Sequence, residues 1–168
     1  GITLNANITT TGSQTYNGAV TLAATPLTLT TTNSDVSFTG TLNGNAASRA
    51  LTIAAGTGNV TFTGAVGGGT YTIGTTAVTA ATTTLSSSFA GSSTLGITGN
   101  AIINGAISGI TSINISGTTS LGANVTTTGA SGQTYTGAVT ITGSAVTLNS
   151  SSGSGAVLFS STVNSAAN

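Results

Sequence analysis

Only two of the 168 side chains carry a formal charge, Asp35 and Arg49, and no His or Cys accompanies them. That inventory limits the chemistry. Glycoside hydrolysis ordinarily uses a pair of carboxylates, and a hydroxyl nucleophile needs a base such as His within reach. The chain has 39 Thr and 22 Ser but nothing to activate them. Calcium sites of the nonapeptide type need repeated Asp in GGxGxD runs, which are missing, and zero Cys removes thiolate metal sites. The glycines of "AVGGGTYTIG" form no phosphate cradle, because no helix follows and no Lys is near. The sequence therefore assigns no catalytic, cofactor-binding or metal-ligating residue, and the chain reads as a non-enzyme. Asp35 reads as a turn residue and Arg49 as a solvated corner.

The same shortage of charge bounds the partners. Nucleic acid and acidic lipid both require clustered Lys and Arg, so neither is expected. No apolar run reaches the length of a membrane-spanning helix, and no membrane insertion is expected. The opening "GITLNANITT" has no charged segment followed by an apolar core. Any secretion signal is expected to have been removed or to lie outside this segment.

What, then, do the residues build? Besides Thr and Ser there are 25 Gly and 14 Asn. Short alternating patches of Val, Ile, Leu, Phe and Tyr separate this chain from a disordered linker. Thr and Val fit a pleated surface, and the strong helix formers Glu, Lys and Met are missing. The expectation is an all-β fold.

The chain also repeats itself. "LTLTTTNSDVSFTGTLNG" (27–44) lies over "LTIAAGTGNVTFTGAVGG" (51–68) without a gap at an offset of 24, and a looser version runs from Val146 to Ser165. Modules with apolar residues two apart around a Gly begin at Gln14, Val36, Val60, Ala101, Gln133 and Val157. The step of 41 from Val60 to Ala101 leaves room for a degraded turn around Val78 to Leu85. A longer period of about 117–121 residues sits above the short one: "QTYNGAVTL" at Gln14 returns as "QTYTGAVTI" at Gln133. Because 119 is close to five times 24, the spacing predicts that the same rung comes round again.

These periods predict one continuous parallel β-solenoid over residues 1–168, with about seven rungs of roughly 24 residues and a length of roughly 34 Å. Like strands stack on like, so Phe38 is expected on Phe62 and Leu29 on Ile53. The expected structural core stack is Leu29, Phe38, Ile53, Phe62, Leu148 and Phe159. All seven aromatics, Tyr71 among them, are expected in the core or at corners rather than as sugar-stacking platforms. Asn7, Asn59 and Asn124 are expected in turns, where their amides satisfy backbone groups and form ladders between rungs. The competing architecture is a tandem pair of immunoglobulin-like sandwiches.

The rungs "VTFTGAVGG", "QTYNGAVTL" and "NITTTGSQTYNG" resemble those of filamentous-haemagglutinin-like adhesins and related autotransporter passengers of Gram-negative bacteria. The resemblance covers nearly the whole chain. It implies a right-handed β-helix exported to the cell surface as part of a long fibre. The function expected is that of a non-catalytic structural section of an extracellular surface fibre or adhesin, contacting adjoining repeats end to end and a host, neighbouring cell or matrix surface. The alternative is a subunit that joins copies of itself end to end into a filament. A third reading, an ice- or carbohydrate-binding solenoid, needs Thr in ranks at one rung position. Neither "GITLNANITT" nor "FSSTVNSAAN" supplies a Lys, Glu or Pro to blunt an open edge. The ends are therefore expected to be covered by more protein, with a run resembling "SRALTIAAGTGNVTFTG" soon after Asn168.

Overall fold

Strands of three to five residues with apolar side chains at alternate positions can bury one face only. In this chain they do so around a common axis. A computed structural model describes residues 1–166 as a parallel β-solenoid of eight turns, with one short 3-10 turn at Ser151–Gly153. Each turn has three sides. Side 1 begins with Ile2–Leu4, side 2 with Ile8–Thr10 and side 3 with Gln14–Tyr16, and the next turn starts over Ile2 at Val20. Later rungs start at Leu42, Val66, Phe89, Ile107, Val125 and Leu148, each lying over the last. Every strand pair among the described residues is parallel, with register irregularities in three of them, and this excludes the immunoglobulin-like alternative.

The inward rows form the core. On side 2 the row is Ile8, Leu29, Ile53, Val78, Ile97, Ile115, Tyr135 and Phe159. On side 3 it is Tyr16, Phe38, Phe62, Leu85, Ile103, Leu121, Ile141 and Ser165. Phe38 stacks between Tyr16 and Phe62, with ring centroids 4.9 and 5.1 Å apart and planes within 13° and 2° of parallel. Tyr135 and Phe159 stack at 5.2 Å.

The rung is shorter on average than the sequence offset suggests. On side 3 the first inward residues are Gln14, Val36, Val60, Thr83, Ala101, Thr119, Val139 and Val163, which gives steps of 22, 24, 23, 18, 18, 20 and 24. The mean is about 21, so eight turns replace the expected seven. A step of 24 occurs where a corner carries an extra loop, as in the first pair of aligned repeats. The 18-residue rungs turn their corners with almost no excess chain. There the strands run on around a bend, as in Thr94–Ile103 and Ile107–Ile115.

Corner glycines set how closely the rungs approach. At the bend from side 3 to side 1, Gly64 lies over Gly40 and Gly40 over Gly18; a Cβ on Gly64 would fall on the carbonyl carbon and oxygen of Gly40. At Gly40 and Gly64 the constraint is contact with the rung beneath, whereas at Gly18 it is the backbone, whose φ is +116°.

The long repeat is out of step with the turn. Gln14–Tyr16 forms side 3 of the first rung and Val20–Leu22 side 1 of the second, whereas Gln133 to Tyr135 lies on side 2 of the seventh rung and Val139–Ile141 on side 3. The two copies are 17 sides apart, or five and two-thirds turns of about 21 residues. The expectation that QTYNGAVTL recurs because one rung position comes round again is corrected: it returns a third of a turn away.

Two buried hydroxyls on side 3, Thr83 and Thr119, have no hydrogen-bond partner among the described residues. Their row carries Val at 36, 60 and 139. Thr83→Val should raise stability by about 1 kcal/mol, since an isosteric methyl removes an uncompensated desolvation cost. A urea midpoint equal to or below that of the parent would contradict this.

Candidate functional site

The solenoid offers an interior and three outer walls, and the chemistry differs between them. Inside, a polar device interrupts the apolar rows twice. Gln14 and Tyr16 point inward two residues apart, and the Tyr16 hydroxyl donates to Gln14 Oε1 at 2.7 Å. Gln14 Nε2 donates to the carbonyl of Thr30 at 2.9 Å and lies 3.4 Å from that of Ile8. Gln133 and Tyr135 repeat this: the phenol donates to Gln133 Oε1 at 2.9 Å, and Nε2 donates to Val125 O at 2.9 Å and Asn149 O at 3.1 Å. In both cases the amide ties the preceding side of its own rung to the same side of the next rung. The clamp is therefore complete on whichever side it falls.

Burial raises the pKa of both phenols, most strongly that of Tyr135. The folded state keeps these groups neutral, while the unfolded chain ionises them near pH 10. Their contribution to stability is full below that pH and is lost as pH rises above it. The unfolding midpoint is expected to fall steeply above about pH 10, and less steeply in Tyr135→Phe; equal slopes in the two proteins would refute the assignment. Gln133→Leu should cost about 1–3 kcal/mol, because it leaves the Tyr135 hydroxyl buried without its acceptor. A guanidinium titration of both proteins measures it.

The sequence quoted both Gln residues but did not place them inside. The signal was the Gln-x-Tyr spacing, at positions that carry Val-x-Phe in three other rungs, at 36–38, 60–62 and 157–159.

The six expected core residues are distributed as follows. Leu29 and Ile53 neighbour each other on side 2, and Phe38 and Phe62 on side 3, all four buried. Leu148 lies on side 1 over Val125 and Phe159 on side 2 over Tyr135, both half-buried. Leu148 and Phe159 thus continue different rows from the residues they match in sequence, through the same displacement of a third of a turn. Tyr71 stands on a corner loop and is 42% exposed.

The corner amides bond between rungs. Asn7 Oδ1 accepts from Thr28 N and Asn124 Oδ1 from Thr147 N, both at 2.8 Å. Asp35 Oδ1 accepts from Asn59 N at 2.7 Å, and Arg49 donates to Asn45 Oδ1 at 2.8 Å. Each charged side chain is thus engaged by neutral neighbours.

The walls are ranks of small polar groups. The outward row of side 3 is Thr15, Ser37, Thr61, Thr84, Ile102, Ser120, Thr140 and Asn164. Ile102 breaks it in the middle. Side 2 has two outward rows, one of Thr28, Thr52, Ala77, Gly96, Asn114, Thr134 and Leu158 and one of Thr9, Thr30, Ala54, Thr79 and Thr98. None of these rows is an unbroken threonine array of the kind the ice-binding reading needs. Among the described residues no group of His, Cys, Asp and Glu could hold a metal ion, and no helix is long and apolar enough to cross a membrane.

The fold and its walls define the chain as a β-solenoid repeat protein. No protein family matches it, and none of the curated proteins or solved structures does.

Proposed function

We propose that this chain is a non-catalytic structural section of an extracellular bacterial surface fibre or adhesin, acting as a rigid, hydroxyl-rich rod. The observation that carries the reading is the continuity of the core. The same three inward rows run through eight rungs, over about 34 Å, while the walls outside them are almost uncharged. A stack of this kind gains stability by adding turns and has no need of a pocket. The resemblance of its rungs to exported adhesins supports the location.

The test is an antibody against this chain applied to intact cells of the source organism. Labelling without permeabilisation, removed by external protease, is expected; labelling that requires permeabilisation would reject the reading. A second reading, a subunit that polymerises end to end, rests on the parallel stacking of each rung on the next, since a further rung pairs through the same backbone bonds whether or not it belongs to the same chain. Intact mass separates the two: about 15.8 kDa is expected of a subunit and a far larger mass of a covalent fibre.

A further inference from the structure

A rod with no Lys, Met or Trp and a single Arg gives an endopeptidase few side chains to recognise. Six of its seven aromatic side chains are buried or half-buried; the seventh, Tyr71, is exposed. Two other large apolar side chains are exposed among the described residues, Leu158 and Val163, and both sit in paired strands. Tyr71 does not. It stands between Val66 and Ile73, at the corner from side 1 to side 2 of the fourth rung, where residues 68 to 71 are all exposed. This loop is held at both ends. Gly67, at φ +69°, lies so close under the Ala90 carbonyl that a Cβ would not fit, and its N–H donates to Leu42 O at 2.8 Å. Gly69 N donates to Asn43 Oδ1 at 2.9 Å, and Ile73 is fully buried. Between these anchors the backbone groups of Thr70 and Tyr71 make no hydrogen bond with the described residues. The corner loops at 143–147 and 150–156 hold only Gly, Ser, Ala, Thr and Val. An endopeptidase takes its substrate as an extended segment with free backbone groups. A paired strand must open before it can be taken, at up to the whole cost of unfolding, whereas an unpaired loop opens locally at little cost. Recognition and access therefore coincide at one bond.

We propose that the Tyr71–Thr72 bond is a processing site for an endopeptidase with an apolar pocket for an aromatic side chain. Water is the second reactant. The C–N link breaks, a C–O bond forms at the Tyr71 carbonyl carbon, and Thr72 departs with a new amino group. The cut rod stays in one piece. On one side of the break Val66 is bridged to Leu42 and Phe89, and on the other Ile73 is bridged to Arg49 and Gly91. Each new end is thus held by the rung below and the rung above. Arg49 supplies the contrast, as the only residue a protease directed to basic side chains could use. It opens the strand Arg49–Ala54, which is paired on both edges. Its Nε donates to Asn45 Oδ1, and the N–H of Ala50 donates to Thr25 Oγ1 at 3.0 Å. The Arg49–Ala50 bond is recognisable but closed. The inference goes beyond the proposed function and depends on the fold alone, whichever location the cell-labelling test returns.

Limiting chymotrypsin, whose pocket takes aromatic side chains, is expected to convert the whole chain into two fragments, 1–71 and 72–168. Mass spectrometry under denaturing conditions reads the fragments, while the elution volume of the native rod stays unchanged. Trypsin under the same conditions should leave the chain whole. Tyr71→Ser should slow the chymotryptic cut by about tenfold or more, with an unchanged melting temperature. Thr52→Tyr, which sets an exposed aromatic in a paired strand, should create no new cut. Resistance of the rod to chymotrypsin until it unfolds, a first cut at any other bond, or cleavage indifferent to Tyr71→Ser would each overturn the proposal. So would a new cut in Thr52→Tyr, tryptic cleavage at a matching rate, or fragments that separate without denaturant.

Discussion

Phe38→Ala is expected to destabilise the solenoid by about 3–5 kcal/mol. The ring is fully buried and has an aromatic neighbour on each face, Tyr16 below and Phe62 above. Truncation removes the transfer free energy of the ring and opens a cavity whose walls are strands already hydrogen-bonded on both edges. Those strands cannot collapse inward without breaking the register Tyr16–Phe38–Phe62. Two stacking contacts, each contributing about 0.5–1.5 kcal/mol beyond burial, are lost as well. Denaturant unfolding of parent and variant measures the difference. A loss below about 1 kcal/mol, far under the range for a buried Phe, would mean that the ring faces outward and the register is wrong.

Gly64→Ala is expected to cost about 3 kcal/mol, at the upper end for overpacking, although it adds one methyl group to a corner. The added carbon would coincide with the Gly40 carbonyl of the rung below. A backbone group tied into its own rung cannot move aside as a flexible side chain would. The corner must open, lengthening hydrogen bonds such as Thr63 N to Phe38 O, now 2.9 Å. Gly96→Thr, a larger substitution, should cost nothing, since its Cβ points into open space. Equal losses at positions 64 and 96 would show that the file of corner glycines does not set the rung spacing.

The all-β solenoid, the parallel stacking and the neighbours Leu29–Ile53 and Phe38–Phe62 were all legible in the sequence. The reason is that apolar alternation and a gapless offset of 24 report directly on which residues share a row. The number of rungs was not legible. The 18-residue rungs at Phe89 and Ile107 bend around corners without a loop, and it is loops that punctuate a sequence. The side on which a motif falls was hidden for a related reason. A strand with its corner is a complete unit, and Gln-x-Tyr makes its hydrogen bonds equally well on side 2 or side 3, so nothing local records the phase. The open space at Gly96 was invisible because a glycine in a glycine-rich chain draws no notice until its surroundings are known to be empty.

The displacement of 17 sides bears on what a longer rod of this kind would present to its surroundings. Seventeen is two more than a multiple of three, so any feature fixed to the long repeat advances around the axis as well as along it. It would face the same direction again only after three long repeats, seventeen turns or about 82 Å further on. Features repeated in this way trace a thread around the shaft and do not line up on one flank. A fibre so built has no front or back and can meet a neighbour on any of its three sides, each contact recurring at long, regular intervals.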